Sequence, residues 1–91
     1  MSHEVPVDGV LDLHSFAARD IKSVVEEYTH SAAEVGLEEI RFIHGRGIGV
    51  QRSIVHAVLK RHPAVESYRD AAESHMGATI ATLATGQIDR R

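Results

Sequence analysis

The stretch "RFIHGRGIGVQRS", residues 41–53, joins an apolar run rich in β-forming residues to an amphipathic run with helical spacing. Its glycines fall at alternate positions, Gly45, Gly47 and Gly49, with His44 and Arg46 beside them. Alternate glycines let a backbone approach a ligand closely, with its N–H groups directed inward. A loop that opens onto a helix N-terminus also favours an anion, because that end of the helix carries partial positive charge. The stretch therefore predicts a strand, a phosphate-binding loop and a helix; the alternative is an ordinary strand-to-helix turn.

Two common nucleotide-binding motifs do not fit this loop. A Walker loop requires Gly-Lys followed by Ser or Thr, and the chain contains no such triplet. A dinucleotide fingerprint would require a third glycine where Val50 stands. We therefore expect neither ATP nor NAD as a ligand, and no nucleotide cofactor.

The elements around the loop follow from hydrophobic periodicity. Residues 50–61 carry an apolar stripe at helical spacing, and Pro63 follows that helix. The spacing also predicts a helix over residues 16–35, earlier in the chain, with Ser15 as its N-cap and Gly36 at its C-terminal end. Four β-type runs complete the pattern: residues 10–14, 37–44, 64–71 and 78–84.

This order predicts an α/β two-layer sandwich, β-α-β-α-β-β, with a four-stranded mixed sheet and two helices. Right-handed crossovers between adjacent parallel strands would place both helices on one face. The short last connection suits an antiparallel hairpin. We expect one domain over residues 10–86, a flexible arm at 1–9 and a tail at 87–91.

Composition narrows the class of protein. The chain of 91 residues contains no cysteine, which excludes disulfides and thiolate metal sites. No apolar run approaches the ~18 residues of a membrane span, and the N-terminus shows no signal pattern. We expect a cytoplasmic protein that does not associate with membranes.

The net charge of −3 conceals an uneven distribution. Residues 41–62 contain five Lys or Arg and no acidic residue, while the rest of the chain holds five basic and thirteen acidic residues. Arg52, His56 and Lys60 recur every four residues and would share one helix face. Such a face can attract a polynucleotide backbone, although a solvated helix surface has the same pattern.

Candidate catalytic residues lie at the carboxyl ends of the first two strands. Ligands of parallel α/β sheets bind at this edge. Asp12 and His14 end the first run, and His44 ends the second. A carboxylate beside imidazoles can support general acid–base chemistry near neutral pH, or bind a divalent metal such as Mg²⁺ or Mn²⁺. A hydrogen-bonded pair that merely ends a strand is the structural alternative.

Three short motifs resemble those of one family. "LDLH" before a helix, "HGRG" leading into "GVQRS", and a late "GATIATL" strand together resemble the Smr (small MutS-related) domain. Each motif alone is weak, but their order and spacing are specific, and the resemblance covers residues 8–83. It implies a small α/β sandwich resembling the C-terminal domain of translation initiation factor 3. It also implies DNA or RNA binding, and for several members endonuclease activity.

By this resemblance the functional set is Asp12 and His14 of the first motif, with His44, Gly45, Arg46 and Gly47 of the second. We expect Asp12, His14, His44 and Arg46 to be catalytic. The loop glycines, Ser15 and the basic helix face would contact the nucleic acid. The sequence departs from the family at Ser15, where glycine is usual, and at "ESHMG" before the last strand, which is often richer in glycine. The predicted function is cleavage of DNA or RNA phosphodiesters. The alternatives are a non-catalytic module in DNA repair, recombination or ribosome-associated processes, and a protein-interaction domain.

Overall fold

The computed structural model of the chain describes residues 7–45, 49–71 and 77–84. Four strands are β1 (Val10–Asp12), β2 (Glu39–Ile43), β3 (Val65–Asp70) and β4 (Ala78–Leu83). Two helices are α1 (Ile21–Glu34) and α2 (Val50–Arg61), and 3₁₀ turns cover Leu13–Ser15 and Ala18–Asp20. The order confirms the predicted β-α-β-α-β-β arrangement. The predicted arm, the tail and residues 72–76 lie mostly or wholly outside the described residues.

The start of α1 is later than predicted. β1 ends at Asp12, and the 3₁₀ turn that follows is closed by a bond from the Phe16 N–H to the Leu13 carbonyl, 3.2 Å. Phe16 and Ala17 are then extended, and a second 3₁₀ turn covers Ala18–Asp20. The α-helix therefore begins only at Ile21. The prediction that Ser15 caps this helix is therefore wrong, because Ser15 ends the turn instead.

The other helix boundaries agree with the sequence. Gly36 has φ +87°, and the N–H groups of Gly36 and Leu37 bond the carbonyls of Ala33 and Ala32 at 3.1 and 3.0 Å. This left-handed termination is the one that a glycine after a helix predicts. Helix α2 has the bounds expected from its apolar stripe.

The sheet has the order β1-β2-β4-β3. β1 and β2 are parallel, and β4 pairs antiparallel with both β2 and β3. The expectation that each crossover joins adjacent strands is wrong for the second one, because β4 lies between β2 and β3. The composition of β4 explains its position: "ATIATL" is uncharged and almost fully buried, whereas β3, "VESYRD", has the charged, exposed residues of an edge strand.

Both helices pack on one face of the sheet. The main core combines buried residues of the helices, such as Val25 and Leu59, with the inward row of the strands, including Leu11, Phe42 and Ala81. Burying a side chain such as Phe42 stabilises a domain by about 3–5 kcal/mol relative to alanine. A smaller cluster centred on Ala78 and Ile80 lies on the opposite face. Within the described ranges, no helix is long and apolar enough to cross a membrane.

Candidate active site at the sheet edge

The ends of β1 and β2 are neighbours, as predicted. The parallel register sets Asp12 opposite Ile43, so the residues that follow each strand emerge side by side. A Cβ built on Gly45 would lie 3.8 Å from His14 Nε2. The first glycine of the loop thus faces the imidazole that follows β1.

Asp12 and His14 form a closely bonded pair. The Asp12 Oδ1 atom accepts the His14 backbone N–H at 3.0 Å and lies 2.6 Å from His14 Nδ1. The backbone bond from His14, followed by the side-chain bond, lowers the pKa of Asp12 below its usual value of 3.8. Because an ionised carboxylate only accepts hydrogen bonds, Nδ1 carries the proton. In the neutral imidazole, Nε2 is then a proton acceptor directed towards the loop.

The first strand and turn are held in place from α1. The Tyr28 hydroxyl accepts the Gly9 N–H at 3.0 Å and lies 3.4 Å from the Val10 carbonyl. Leu11 and Leu13 alternate with the two site residues and are buried in the core. Because buried and exposed residues alternate here, the Asp12 and His14 side chains remain 57% and 65% exposed. This combination gives a fixed backbone and a solvent-accessible acid–imidazole pair.

His44 has a different environment from His14. Its imidazole is buried, with Nε2 2.9 Å from Thr79 Oγ1 and Nδ1 3.1 Å from the Gly45 carbonyl. It follows the buried Phe42 by two residues, on the face of β2 that meets the helices. Burial lowers the pKa of His44, which favours the neutral form. Both ring nitrogens have partners within the protein.

Beyond His44 lies a cluster that we call the α2–β3 cluster: Arg52, His56, Asp70 and Thr79. Arg52 donates to both carboxylate oxygens of Asp70, at 2.6 to 3.2 Å. His56 Nε2 lies 3.1 Å from both Asp70 Oδ1 and Thr79 Oγ1. The pKa of Asp70 falls from 3.8 to about 2, chiefly because of the hydrogen bonds from Arg52. The basic helix face is therefore partly neutralised by one carboxylate.

The remaining predicted residues are distributed around the edge. Arg46 and Gly47 lie outside the described residues, so their roles stay predictions. Gly49 precedes α2 with φ +82°, and its carbonyl accepts the first helical bond from Ser53 at 3.0 Å. Ser15 and Lys60 are exposed. The N–H of Gly45 donates to the Gly77 carbonyl at 3.0 Å and is engaged within the protein.

Metal binding receives no direct support from geometry. Over residues 7–45, 49–71 and 77–84, no three His, Asp or Glu side chains converge as a metal site would require. Asp12 and His14 offer two donor groups, one of which already bonds the other. A metal requirement stays a prediction to be tested.

Sequence reasoning missed Asp70 and Thr79. Asp70 ends β3, and Thr79 is the second residue of β4, so both lie far from the loop in the sequence. The signal that was present is the spacing of Arg52 and His56, which correctly indicated one shared face. Only the tertiary structure reveals that this helix face contacts Asp70, at the end of β3.

The fold and the site thus define a class of protein: a two-layer α/β domain with an acid–imidazole pair beside a glycine loop. The model of the Smr domain family matches residues 11–84. The chain belongs to the Smr domain family. Asp12 and His14 of its first motif and Gly45 of its second lie together at the ends of β1 and β2.

Relatives and a solved structure agree with this assignment. The chain is 38% identical over 82 residues to Endonuclease MutS2 of Caldicellulosiruptor saccharolyticus, which covers 88% of this chain and 10% of that protein. It is 36% identical over 75 residues to Endonuclease MutS2 of Clostridium novyi, covering 80% and 10% respectively. The chain therefore spans about a tenth of the length of these curated relatives. The crystal structure of the Smr domain of Thermus thermophilus MutS2 superposes with a TM-score of 0.74 at 29% identity, covering 81% of this chain and 95% of that one.

Proposed function

We propose that this chain is a nucleic-acid-binding domain that cleaves phosphodiester bonds of DNA or RNA. The observation that carries the proposal is the exposed His14 imidazole, held by Asp12 at Nδ1, with Nε2 facing the first loop glycine. The relatives named above are endonucleases, which supports the same direction. The fold alone would not, since one fold serves many functions.

In the proposed mechanism, His14 Nε2 accepts the proton of the attacking hydroxyl. That hydroxyl belongs to a water or, in RNA, to the ribose 2′ position. As oxygen attacks phosphorus, the bond from phosphorus to the leaving oxygen breaks, and the leaving oxygen takes up a proton from the imidazolium or from solvent. Asp12 keeps Nδ1 protonated and stabilises the positive imidazolium that forms. Arg46, by its predicted role, would neutralise the phosphate.

A cleavage assay tests this proposal. The domain is incubated with supercoiled plasmid and with end-labelled single-stranded and structured RNA, in Mg²⁺, Mn²⁺ or EDTA. We expect product with the wild type and at least a 100-fold slower reaction with His14→Ala and Asp12→Asn. His30→Ala, which removes an exposed imidazole of α1 paired with Glu34, is the matched control and should cleave normally.

Two other outcomes of the assay are informative. Equal product from wild type and His14→Ala would contradict the proposal and indicate a contaminating nuclease. Product that depends on Mg²⁺ or Mn²⁺ and disappears in EDTA would keep the cleavage but assign part of the chemistry to a metal ion.

A non-catalytic nucleic-acid-binding module is the second candidate. The observation that favours it is the engagement of both His44 ring nitrogens, which leaves His14 as the one exposed imidazole at this edge within the described residues. Salt-dependent binding to DNA or RNA without cleavage in any buffer would select this candidate. A cytoplasmic location belongs with either one. Binding that is absent at low salt would instead favour a protein-interaction domain.

A further inference from the structure

We propose that Thr79 is a positioning residue for the candidate active site, and that it holds His44 and, through His44, the first loop glycine beside His14. This inference rests on the proposed function for its catalytic consequence. The structural part, however, can be measured whether or not the domain cleaves nucleic acid. In this assignment His44 is also a positioning residue and not a catalytic one.

The first step is the tautomer of His44. Nδ1 lies 3.1 Å from the Gly45 carbonyl, which can only accept a hydrogen bond. Nδ1 must therefore carry the proton for this contact to be favourable. In a neutral imidazole that leaves Nε2 as an acceptor, and the group opposite Nε2 at 2.9 Å is the Thr79 hydroxyl. Thr79 consequently donates to His44, and His44 donates to Gly45.

The second step is the competition for the Thr79 hydroxyl proton. Thr79 Oγ1 lies 2.9 Å from His44 Nε2 and 3.2 Å from Asp70 Oδ1, and it has one proton to donate. His56 Nε2, 3.1 Å from both Thr79 Oγ1 and Asp70 Oδ1, can supply a donor to these oxygens in its place. Arg52 further occupies Asp70 with its own hydrogen bonds. Asp70 thus has donors in Arg52 and His56 besides the Thr79 hydroxyl, so the Thr79 proton is not required there and can serve the shorter contact with His44.

The third step connects this cluster to the site. The N–H groups of His44 and Gly45 both donate to the Gly77 carbonyl at 3.0 Å, which fixes the backbone at this point. The His44 imidazole then holds the Gly45 carbonyl, which belongs to the next peptide along the chain. Gly45 faces His14 Nε2, so a rotation of this peptide would change the space in which a substrate phosphate must fit. A chain of hydrogen bonds therefore links α2, β3 and β4 to Gly45, which lies beside the His14 imidazole.

Three substitutions, at two positions of β4, separate this role from general stability. Thr79→Val has nearly the same shape but no hydroxyl, whereas Thr79→Ser retains the hydroxyl. Thr82→Val makes the same chemical change three residues along β4, on the face opposite the helices, and is the matched control. Circular dichroism and thermal melting confirm that each variant is folded before it is compared.

The decisive measurement is the ring ¹⁵N spectrum of the histidine-labelled domain, with His44 assigned by His44→Gln. At pH 7 we expect the Nδ1–H tautomer of His44 in the wild type, in Thr79→Ser and in Thr82→Val. Thr79→Val should keep the Nδ1–H tautomer that the Gly45 carbonyl requires, but the Nε2 resonance should shift because its hydrogen-bond donor is lost, and the Gly45 amide resonance should shift with it. An Nε2–H tautomer in the wild type, or a Thr79→Val spectrum identical to it, would overturn the proposal.

Kinetics then test the catalytic consequence. We expect Thr79→Val to lower kcat about tenfold with little change in KM, because positioning affects the reaction more than binding. Thr79→Ser should restore kcat. A Thr79→Val domain with wild-type kcat would overturn the positioning role even if the Nε2 resonance had shifted. If the wild type itself cleaves no substrate, the proposed function fails, and the spectra alone decide whether Thr79 positions His44 and Gly45.

Discussion

At the residue scale, a comparison of Gly36 with Gly45 distinguishes the effect of backbone strain from an effect on the candidate site. Both have positive φ, +87° and +82°, and alanine in this conformation costs about 1–2 kcal/mol. A Cβ at Gly36 meets nothing within 4 Å, while one at Gly45 would approach His14 Nε2. We predict that both alanine variants lose similar stability in urea unfolding, and that only Gly45→Ala impairs cleavage, since its methyl occupies space beside the reacting nitrogen. Equal activity in both variants would contradict this placement of Gly45.

The sequence allowed the neighbourhood of Asp12, His14 and Gly45 to be predicted, because two parallel strand ends must share an edge. The orientation of His44 could not be predicted in the same way. Its buried ring contacts Thr79, which lies 35 residues further along the chain. A histidine at a strand end can face solvent or the helix layer, and only the tertiary packing distinguishes the two.

At the element scale, Asp70 joins the end of β3 to α2. Its pKa is lowered from 3.8 to about 2, so the stabilisation is present above the unfolded value of 3.8 and is lost as the pH falls towards 2. Because the Asp70 side chain is 45% exposed, solvent screening limits its contribution to the free energy of unfolding to on the order of 1 kcal/mol. We predict that Asp70→Asn is less stable by about this amount at pH 7.

Urea unfolding from pH 7 to pH 2 checks this prediction. The difference between the wild type and Asp70→Asn should shrink as the pH falls below 4, because the wild-type carboxylate becomes protonated. Glu39→Gln removes a looser ion pair with Arg69 at 3.7 Å and is the control, with a smaller expected effect. A difference that stays constant down to pH 2 would exclude an electrostatic origin.

The elements themselves followed from periodicity in most places, and the exceptions have physical causes. The bounds of α2 agree with its apolar stripe. The late start of α1 results from the Asp12 side chain bonding the His14 N–H, a local competitor of helix formation that a periodic pattern does not register. Chain order alone predicts β3 beside β2, whereas the uncharged composition and two-sided burial of β4 favour the inner position that it occupies.

At the scale of the whole molecule, an acidic protein contains one segment, residues 41–62, that has basic residues and no acidic ones. Arg52 is bonded to Asp70, whereas Lys60 is exposed on α2. If nucleic acid contacts this helix, Lys60→Ala should weaken binding at all sequences alike and reduce the salt dependence by about one ion. Fluorescence anisotropy with labelled DNA and RNA at several salt concentrations measures both. An unchanged salt slope would place the phosphate contacts away from Lys60.

The most direct test of the account is chemical rescue of His14→Gly by free imidazole in the cleavage assay. Imidazole can enter the space left by the missing side chain, because that side chain is 65% exposed, and can carry the proton that Nε2 would have carried. We predict that product from His14→Gly rises with imidazole concentration, while His44→Gly, which lacks a positioning group, is not restored. Wild-type cleavage by His14→Gly without imidazole would contradict the claim that His14 is the reacting group.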